Sequence, residues 1–97
     1  MTSSKIDTLL IVISEAAIET SLIDDIKEFG ATGYTISEAH GQGDSGVRNA
    51  GWITDSNVQI EIACSLGLAQ KLGRHFIDTY SKDYAMFVYK HAIDTFK

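Results

Sequence analysis

The stretch LLIVIS, residues 9–14, decides the fold of this chain. Its first five residues are all apolar, and Ile11, Val12 and Ile13 among them are β-branched. A short continuous apolar run of this kind predicts a β-strand that is buried on both faces. Such a strand needs a covering layer on each of its two sides.

The residues that follow predict a helix. Its apolar side chains recur at the spacing of one helix face, at Ile18, Leu22, Ile26 and Phe29. Ser14 is the expected N-cap, Glu15 suits the positive end of the helix dipole, and Gly30 is the expected stop. The adjacent carboxylates of Asp24 and Asp25 are expected on the solvated side of this helix.

Four more elements are predicted beyond this helix. The segment YTISEAH, residues 34–40, predicts a strand that leads into a glycine-rich loop. Residues 58–64 alternate between apolar and other side chains, which predicts a strand with one buried face. Ser65 is expected to cap a second helix, whose apolar positions are Leu68 or Ala69, Leu72, Phe76 and Tyr80. After a break at residues 81–83, residues 85–92 predict the last strand.

The order strand, helix, strand, strand, helix, strand is that of the split βαβ or ferredoxin-like arrangement. Right-handed crossovers then place both helices on one face of an antiparallel four-stranded sheet. The predicted class is therefore α+β. Because the first strand is apolar on both faces, we expect a partner subunit to cover the face that has no helices.

Composition limits the classes of function. The 97 residues suffice for a single domain, residues 1–97, and carry a formal net charge of −5. Arg48 and Arg74 are the only arginines, and nucleic-acid binding requires clustered Lys and Arg, so no nucleic-acid partner is predicted. The single cysteine, Cys64, suits a reducing compartment. The first apolar run is too short to span a bilayer, and we expect a cytoplasmic protein.

The loop GQGDSGVRNAG, residues 41–51, begins with the dinucleotide-binding pattern G-x-G-x-x-G. That pattern needs a helix directly after it, because the helix N-terminus receives the pyrophosphate. The residues after Gly46 show no helical periodicity, so the sequence does not predict a dinucleotide site. Successive loop amides can still form an anion-binding concavity, and the guanidinium of Arg48 can engage phosphate oxygens. A solvated connection without a ligand is the alternative.

The segment GATGYTISEAHGQG, residues 30–43, resembles the part of PII signalling proteins that runs from the first helix into the T-loop. The segments SGVR, residues 45–48, and FIDTYSKDYAMFVY, residues 76–89, are more similar to the PII-like branch linked to bicarbonate uptake and carboxysomes. The resemblance implies a ferredoxin-like homotrimer with a T-loop at about residues 41–57. It also implies that adenine nucleotides bind in clefts between subunits and reshape the T-loop for a target protein.

The resemblance implies a set of nucleotide-binding residues: Thr35, Ser37, Gly41, Gln42, Gly43, Arg48, Lys82, Asp83, Tyr84 and Ala85. Thr35 and Ser37 correspond to positions near the adenine or ribose. Residues 41–43 correspond to backbone amides that wrap the phosphates. Arg48 corresponds to a basic residue that pairs with phosphate oxygens, and residues 82–85 form the other side of the cleft. Trp52, a large aromatic residue in a polar loop, is predicted as a partner contact, with packing on the sheet as the alternative.

The chain also differs from nitrogen-sensing PII proteins. Asp44 stands where those proteins have an arginine, the loop has no tyrosine for nucleotidylation, and residues 81–84 (SKDY) replace a loop with glycine and lysine. These differences favour AMP, ADP or cyclic AMP over Mg-ATP as the ligand, and they argue against 2-oxoglutarate sensing.

The resemblance implies a regulatory function, and the sequence shows no nucleophile, base and orienting group spaced to act together in catalysis. The nucleotide is expected to order the T-loop for a membrane transporter or a carboxysome-related protein, with bicarbonate as a further ligand. The alternative is a metal-responsive trimer that uses His40, His75 and His91, but these lie on three predicted elements and His75 is expected to face solvent. No metal site is therefore predicted. Weak nucleotide hydrolysis in the same cleft is a third alternative.

Overall fold

The computed structural model describes residues 5–43, 52–53 and 56–97. These residues form β1 (Thr8–Glu15), a 3₁₀ helix (Ala16–Ile18), α1 (Glu19–Glu28), β2 (Thr35–Ala39), β3 (Gln42–Gly43), β4 (Trp52–Ile53), β5 (Asn57–Cys64), α2 (Leu66–Tyr80) and β6 (Met86–Ala92). Within these ranges, neither α-helix has the length and apolar character that crossing a membrane requires.

Strand β1 lies inside an antiparallel four-stranded sheet with the order β2-β5-β1-β6. Its residue Ile11 stands opposite Glu61 on β5 and opposite Tyr89 on β6. This order, together with the two crossover helices, is that of the ferredoxin-like fold. The α+β class and the βαββαβ order predicted from the sequence are confirmed. The additional pair β3–β4 is a separate two-stranded ladder within the segment that joins β2 to β5.

The core lies between one face of this sheet and both helices. Alternate residues of β1 and β5 point into it, and the strictly alternating burial of residues 58–64 confirms the period-2 pattern of the sequence. The large apolar side chains with at most 1% exposure are Leu10, Val12, Leu22, Ile26, Ile60, Ile62, Leu72 and Phe76. Burying one such side chain contributes about 1.5–3 kcal/mol, so this layer dominates the stability of the chain.

The two helices begin differently. The hydroxyl of Ser65 accepts a hydrogen bond from the Leu68 amide at 3.2 Å, which confirms the predicted cap of α2. Ser14 does not cap α1: it is buried in β1, and its hydroxyl donates to the Glu15 carbonyl at 3.0 Å. The prediction was wrong because pairing with β5 and β6 extends β1, and a 3₁₀ turn separates the strand from α1.

Helix α1 ends where the sequence predicted. Gly30 adopts a φ of 94°, and its amide donates to the Lys27 carbonyl at 3.0 Å. Residues with a side chain rarely adopt this conformation, which explains why a glycine stops the helix here.

A polar cluster joins the two helices. The carboxylate of Asp25 accepts from the Tyr80 hydroxyl at 2.6 Å and from His75 Nε2 at 2.8 Å. The other ring nitrogen, Nδ1, lies 3.3 Å from the Thr79 hydroxyl. The His75 ring also stacks at 4.8 Å from the Phe29 ring. Asp25 and His75 are therefore helix–helix contacts, which corrects their predicted solvated positions.

The helix-free face of the sheet carries a mixed surface. Its central residue, Ile11, is only 2% exposed, but the neighbouring aromatic rings of Phe87 and Tyr89 are 49% and 40% exposed. These two rings lie 5.1 Å apart on the edge strand β6. Large apolar side chains exposed side by side indicate an interaction surface, in agreement with the predicted partner subunit.

Candidate functional site

One end of the sheet brings together segments that are far apart in the sequence. Ala39 at the end of β2 pairs with Asn57 at the start of β5, and Asn57 pairs with Glu15 at the end of β1. The Glu15 amide donates to the Ala85 carbonyl at 3.4 Å, directly before β6 begins. Residues 40–56 and residues 81–85 therefore leave the sheet at the same end.

Glu15 connects the two segments that leave the sheet here. Its Oε2 accepts a hydrogen bond from the Ala85 amide at 2.6 Å, and Ala85 is buried. The next residue, Ala16, donates its amide to the Ser56 carbonyl at 3.0 Å. A hydrogen bond to a charged group contributes about 1.5–3 kcal/mol, so the Glu15 carboxylate holds the start of β6 firmly at this corner.

The segment between α2 and β6 has a fixed backbone and exposed polar side chains. The amides of Asp83 and Tyr84 both donate to the Tyr80 carbonyl at 3.0 Å. The Ser81 hydroxyl donates to the Ile77 carbonyl at 2.6 Å and closes the end of the helix. The side chains of Lys82 and Asp83 are exposed. An ammonium and a carboxylate are thus presented to solvent on a hydrogen-bonded turn.

The base of the glycine-rich loop is a short ladder. Gln42 pairs with Ile53, and Gly43 pairs with Trp52. Gly41 is exposed, and a Cβ placed there would meet no heavy atom of the described residues within 4 Å. Arg48, the predicted phosphate ligand, lies outside the described residues, as do residues 44 and 45. The role of Trp52 as a partner contact stays a prediction.

Thr35 and Ser37 lie apart from the segment of residues 82–85. Both are exposed on β2, one edge of the sheet, and they stand opposite Glu61 and Gln59 of β5. The segment 82–85 leads into β6, which is the opposite edge. Three strand spacings separate the two edges, or roughly 14 Å at about 4.8 Å each. One subunit therefore does not bring the two groups of predicted residues together.

The family model described as nitrogen regulatory protein P-II matches residues 7–93. The chain belongs to the PII family. Among solved structures, it is similar to a PII-like signalling protein from Thermus thermophilus, with 29% identity and a TM-score of 0.74 over 90% of this chain and 86% of that one. No curated protein matches the chain at a significant level.

Two more distant PII structures share the fold and contain ligands. CPII from Thiomonas intermedia K12, bound to ADP, AMP and bicarbonate, is 20% identical, with a TM-score of 0.66 over 96% of this chain and 100% of that one. The GlnK–ATP complex of B. subtilis is 18% identical, with a TM-score of 0.62 over 93% of this chain and 86% of that one. At these identities the likeness shows the fold alone.

Within this PII fold the histidines are spread over three places. His40 follows β2, His75 lies on α2 beside Asp25, and His91 lies on β6. In the described ranges, no three His, Cys, Asp or Glu side chains are arranged to hold a metal ion. Burial, with a smaller contribution from the Asp7 carboxylate, raises the pKa of the Cys64 thiol. This places Cys64 with the core residues, as an inert thiol.

Glu15 and Asn57 are the structural residues of this site that sequence analysis missed. Glu15 was assigned to a helix start, yet its carboxylate contacts Ala85, which is 70 residues away. Asn57 is a buried polar residue at the centre of the row formed by Ala39, Asn57 and Glu15. An asparagine placed directly before an alternating strand was the only local signal, and it does not indicate which strands it joins.

Proposed function

We propose that this PII protein is a non-enzymatic regulator that binds an adenine nucleotide, AMP, ADP or cyclic AMP, in clefts between the subunits of a homotrimer. The observation that carries the proposal is the end of the sheet where residues 40–56 and 81–85 emerge together around Glu15. Support also comes from the PII structures of Thiomonas and Bacillus, which hold ADP, AMP or ATP.

The separation of the predicted residues favours a site between subunits. Thr35 and Ser37 lie on one edge of the sheet, and residues 82–85 lead into the other. A ligand that contacts both groups needs the β2 edge of one subunit beside the β6 edge of the next. Such a head-to-tail contact closes into a ring when its rotation fits, and a trimer is one of these rings.

The chemistry of each group matches a part of the ligand. The hydroxyls of Thr35 and Ser37 can hydrogen-bond to adenine or ribose, and the amides of residues 41–43 can surround phosphate oxygens. Lys82 offers an ammonium to a phosphate, and Asp83 offers acceptors to ribose hydroxyls. Arg48 pairs with phosphate oxygens when the ligand orders the loop.

Nucleotide binding at this site acts through the conformation of the T-loop. Ordering a segment costs conformational entropy, which nucleotide binding offsets. A target protein that binds the ordered loop, with Trp52 as an anchor, then tightens the nucleotide in return. The similarity of residues 45–48 and 76–89 to the bicarbonate-linked branch favours a membrane transporter or a carboxysome-related protein as the target, with bicarbonate as a further ligand.

Calorimetry with AMP, ADP, ATP and cyclic AMP tests the proposal. We expect saturable binding of at least one nucleotide, and Arg48→Ala should weaken AMP by about 10- to 100-fold while adenosine binding changes little. Lys71→Ala, which removes an exposed cation from α2, is the matched control and should bind AMP as the parent does. The absence of heat with all four nucleotides at millimolar concentration would contradict the proposal.

A further inference from the structure

The β1–β6 ladder ends in a rung that is completed by a side chain. The regular pairing stops where Ser14 stands opposite Met86, and Glu15 and Ala85 are the next two residues to face each other. The Glu15 amide donates to the Ala85 carbonyl at 3.4 Å, as in an antiparallel pair. The return bond from the Ala85 amide goes to the Glu15 side chain, whose Oε2 accepts it at 2.6 Å. The Glu15 carbonyl accepts instead from the Ser14 hydroxyl at 3.0 Å.

The Glu15 carboxylate extends from a backbone that is itself held in the sheet. Glu15 has extended backbone angles, a φ of −62° and a ψ of 139°, and it pairs with Asn57 of β5. The following amide, that of Ala16, donates to the Ser56 carbonyl at 3.0 Å. The side chain that reaches Ala85 therefore starts from a point that is bonded on the β5 side as well as on the β6 side.

The segment between α2 and β6 is held at two points. At the helix end, the Tyr80 carbonyl accepts the amides of Asp83 and Tyr84, both at 3.0 Å. At the strand end, the Glu15 carboxylate accepts the amide of Ala85. Because these three amides are engaged inside the protein, the segment meets a ligand chiefly with its side chains.

The side chains of Lys82 and Asp83 lie between these two points and are exposed. Their directions depend on the backbone that carries them. A binding group that is held in its bound arrangement beforehand loses less conformational freedom when the ligand arrives, so the affinity is higher. A hydrogen bond to a carboxylate is among the stronger ones that a backbone amide can make. The Glu15 contact is therefore suited to hold this segment ready for a ligand.

An acidic side chain at a site proposed for a phosphorylated ligand calls for a physical reason, because like charges repel. The Glu15 side chain is half-buried, and one of its oxygens is bound to the Ala85 amide. This contact gives the carboxylate a role at the site that requires no contact with the ligand.

We propose that Glu15 is a positioning residue of the nucleotide site. Its carboxylate holds Ala85, and through Ala85 it sets the backbone that carries Lys82 and Asp83. It thereby raises the affinity for the nucleotide without touching it. This inference rests on the proposed function and assigns to that site a residue from the interior of the same subunit.

Calorimetry on the full chain tests the role of Glu15, with the nucleotide that the parent binds most tightly among AMP, ADP, ATP and cyclic AMP. Glu15→Ala should weaken binding about tenfold. Glu15→Gln keeps an oxygen that can accept from the Ala85 amide, and its affinity should stay within about threefold of the parent. Glu28→Ala removes an exposed carboxylate from α1 and is the matched control, which should bind as the parent does.

A comparison of two backgrounds separates positioning from a general structural effect. When Lys82→Ala and Asp83→Ala are both present, Glu15→Ala should weaken binding by less than about twofold, because the groups that it positions are absent. In the Thr35→Ala background the loss should remain about tenfold, because Thr35 lies on the opposite edge of the sheet. A general loss of structure would weaken binding equally in both backgrounds.

The outcomes distinguish this inference from the proposed function. Sedimentation velocity checks that each variant assembles, and Glu15→Met, which keeps the length of the side chain without its oxygens, replaces Glu15→Ala if that variant does not fold. Equal losses in the two backgrounds, or an unchanged affinity in Glu15→Ala, would overturn the role of Glu15 and leave the nucleotide site in place. If the parent binds none of the four nucleotides, the proposed function is overturned and this inference with it.

Discussion

The two faces of the four-stranded sheet are built from the same strands but are covered in different ways. On the helix-covered face, Leu10 and Val12 of β1 and Ile60 of β5 are at most 1% exposed. On the helix-free face, Phe87 and Tyr89 are about half as exposed as they would be in an extended chain. The first face is complete within one chain. The second shows exposed aromatic side chains of the kind found at interaction surfaces, so we expect assembly to use the side of the sheet that the helices leave open.

The largest expected effect is a cavity on the helix-covered face. Ile60→Ala should lower the free energy of unfolding by about 2–5 kcal/mol, because the fully buried side chain leaves a void that its neighbours fill only in part. Urea denaturation followed by circular dichroism measures the loss. Thr35→Ala, at an exposed position of β2, is the control, and a similar loss in both variants would contradict the proposed division between the faces.

A substitution on the helix-free face should weaken assembly and leave the stability of the single chain almost unchanged. Phe87→Asp places a charge on the proposed subunit contact, and we expect at least a tenfold weaker association because an unpaired charge is costly to bury. Sedimentation velocity measures the assembly, while the unfolding of the separated chain should change by no more than about 0.5 kcal/mol. Phe96→Asp, beyond the end of β6, is the matched control. An intact assembly in Phe87→Asp would place the subunit contact elsewhere.

The smallest expected loss of stability comes from the polar cluster of Asp25, His75 and Tyr80, which joins the two helices. Burial, followed by the hydrogen bond to Asp25, raises the pKa of Tyr80 to about 12 from an unfolded value of about 10. Because the pKa is higher in the folded state, the Tyr80 hydroxyl contributes its full stabilisation of the fold below pH 10. This stabilisation is lost as the pH rises toward about 12. Tyr80→Phe should cost about 1 kcal/mol at pH 7.

The pH dependence supplies a sharper readout for this tyrosine. Between pH 9 and pH 12 the thermal unfolding temperature should fall less steeply in Tyr80→Phe than in the parent, because the variant has no hydroxyl to titrate at this position. Tyr34→Phe removes an exposed hydroxyl outside the helices and should keep the slope of the parent. Identical slopes in parent and Tyr80→Phe would show that this hydrogen bond does not contribute to stability.

Features that depend on neighbouring residues were predictable from the sequence. The alternation of residues 58–64 fixes which side chains of β5 are buried, and the Ser65 cap involves a residue three positions away. The order of the elements then led to the ferredoxin-like fold. Ser14 failed as a cap because the end of β1 is set by its pairing with β5 and β6, which no local pattern shows.

Contacts between distant residues were not predictable. The bond from Tyr80 to Asp25 joins residues 55 positions apart, and the bond from Ala85 to Glu15 joins residues 70 positions apart. The sequence showed each of these carboxylates as an ordinary helix residue. At the candidate site, the resemblance to PII proteins supplied Thr35, Ser37, residues 41–43, Arg48 and residues 82–85. The structure adds that Thr35 and Ser37 lie on the sheet edge opposite to the one that residues 82–85 lead into.

The pairing of Ala39 with Asn57 has a consequence for how this protein can change through evolution. These residues hold the two ends of the intervening segment on adjacent strands, so its length hardly matters to the sheet. The entropic cost of closing a flexible loop rises only with the logarithm of its length, by about 0.6 kcal/mol for each doubling. Insertions, deletions or a complete exchange of this segment are therefore expected to leave the sheet intact, so that this stretch of chain can vary while the scaffold is kept.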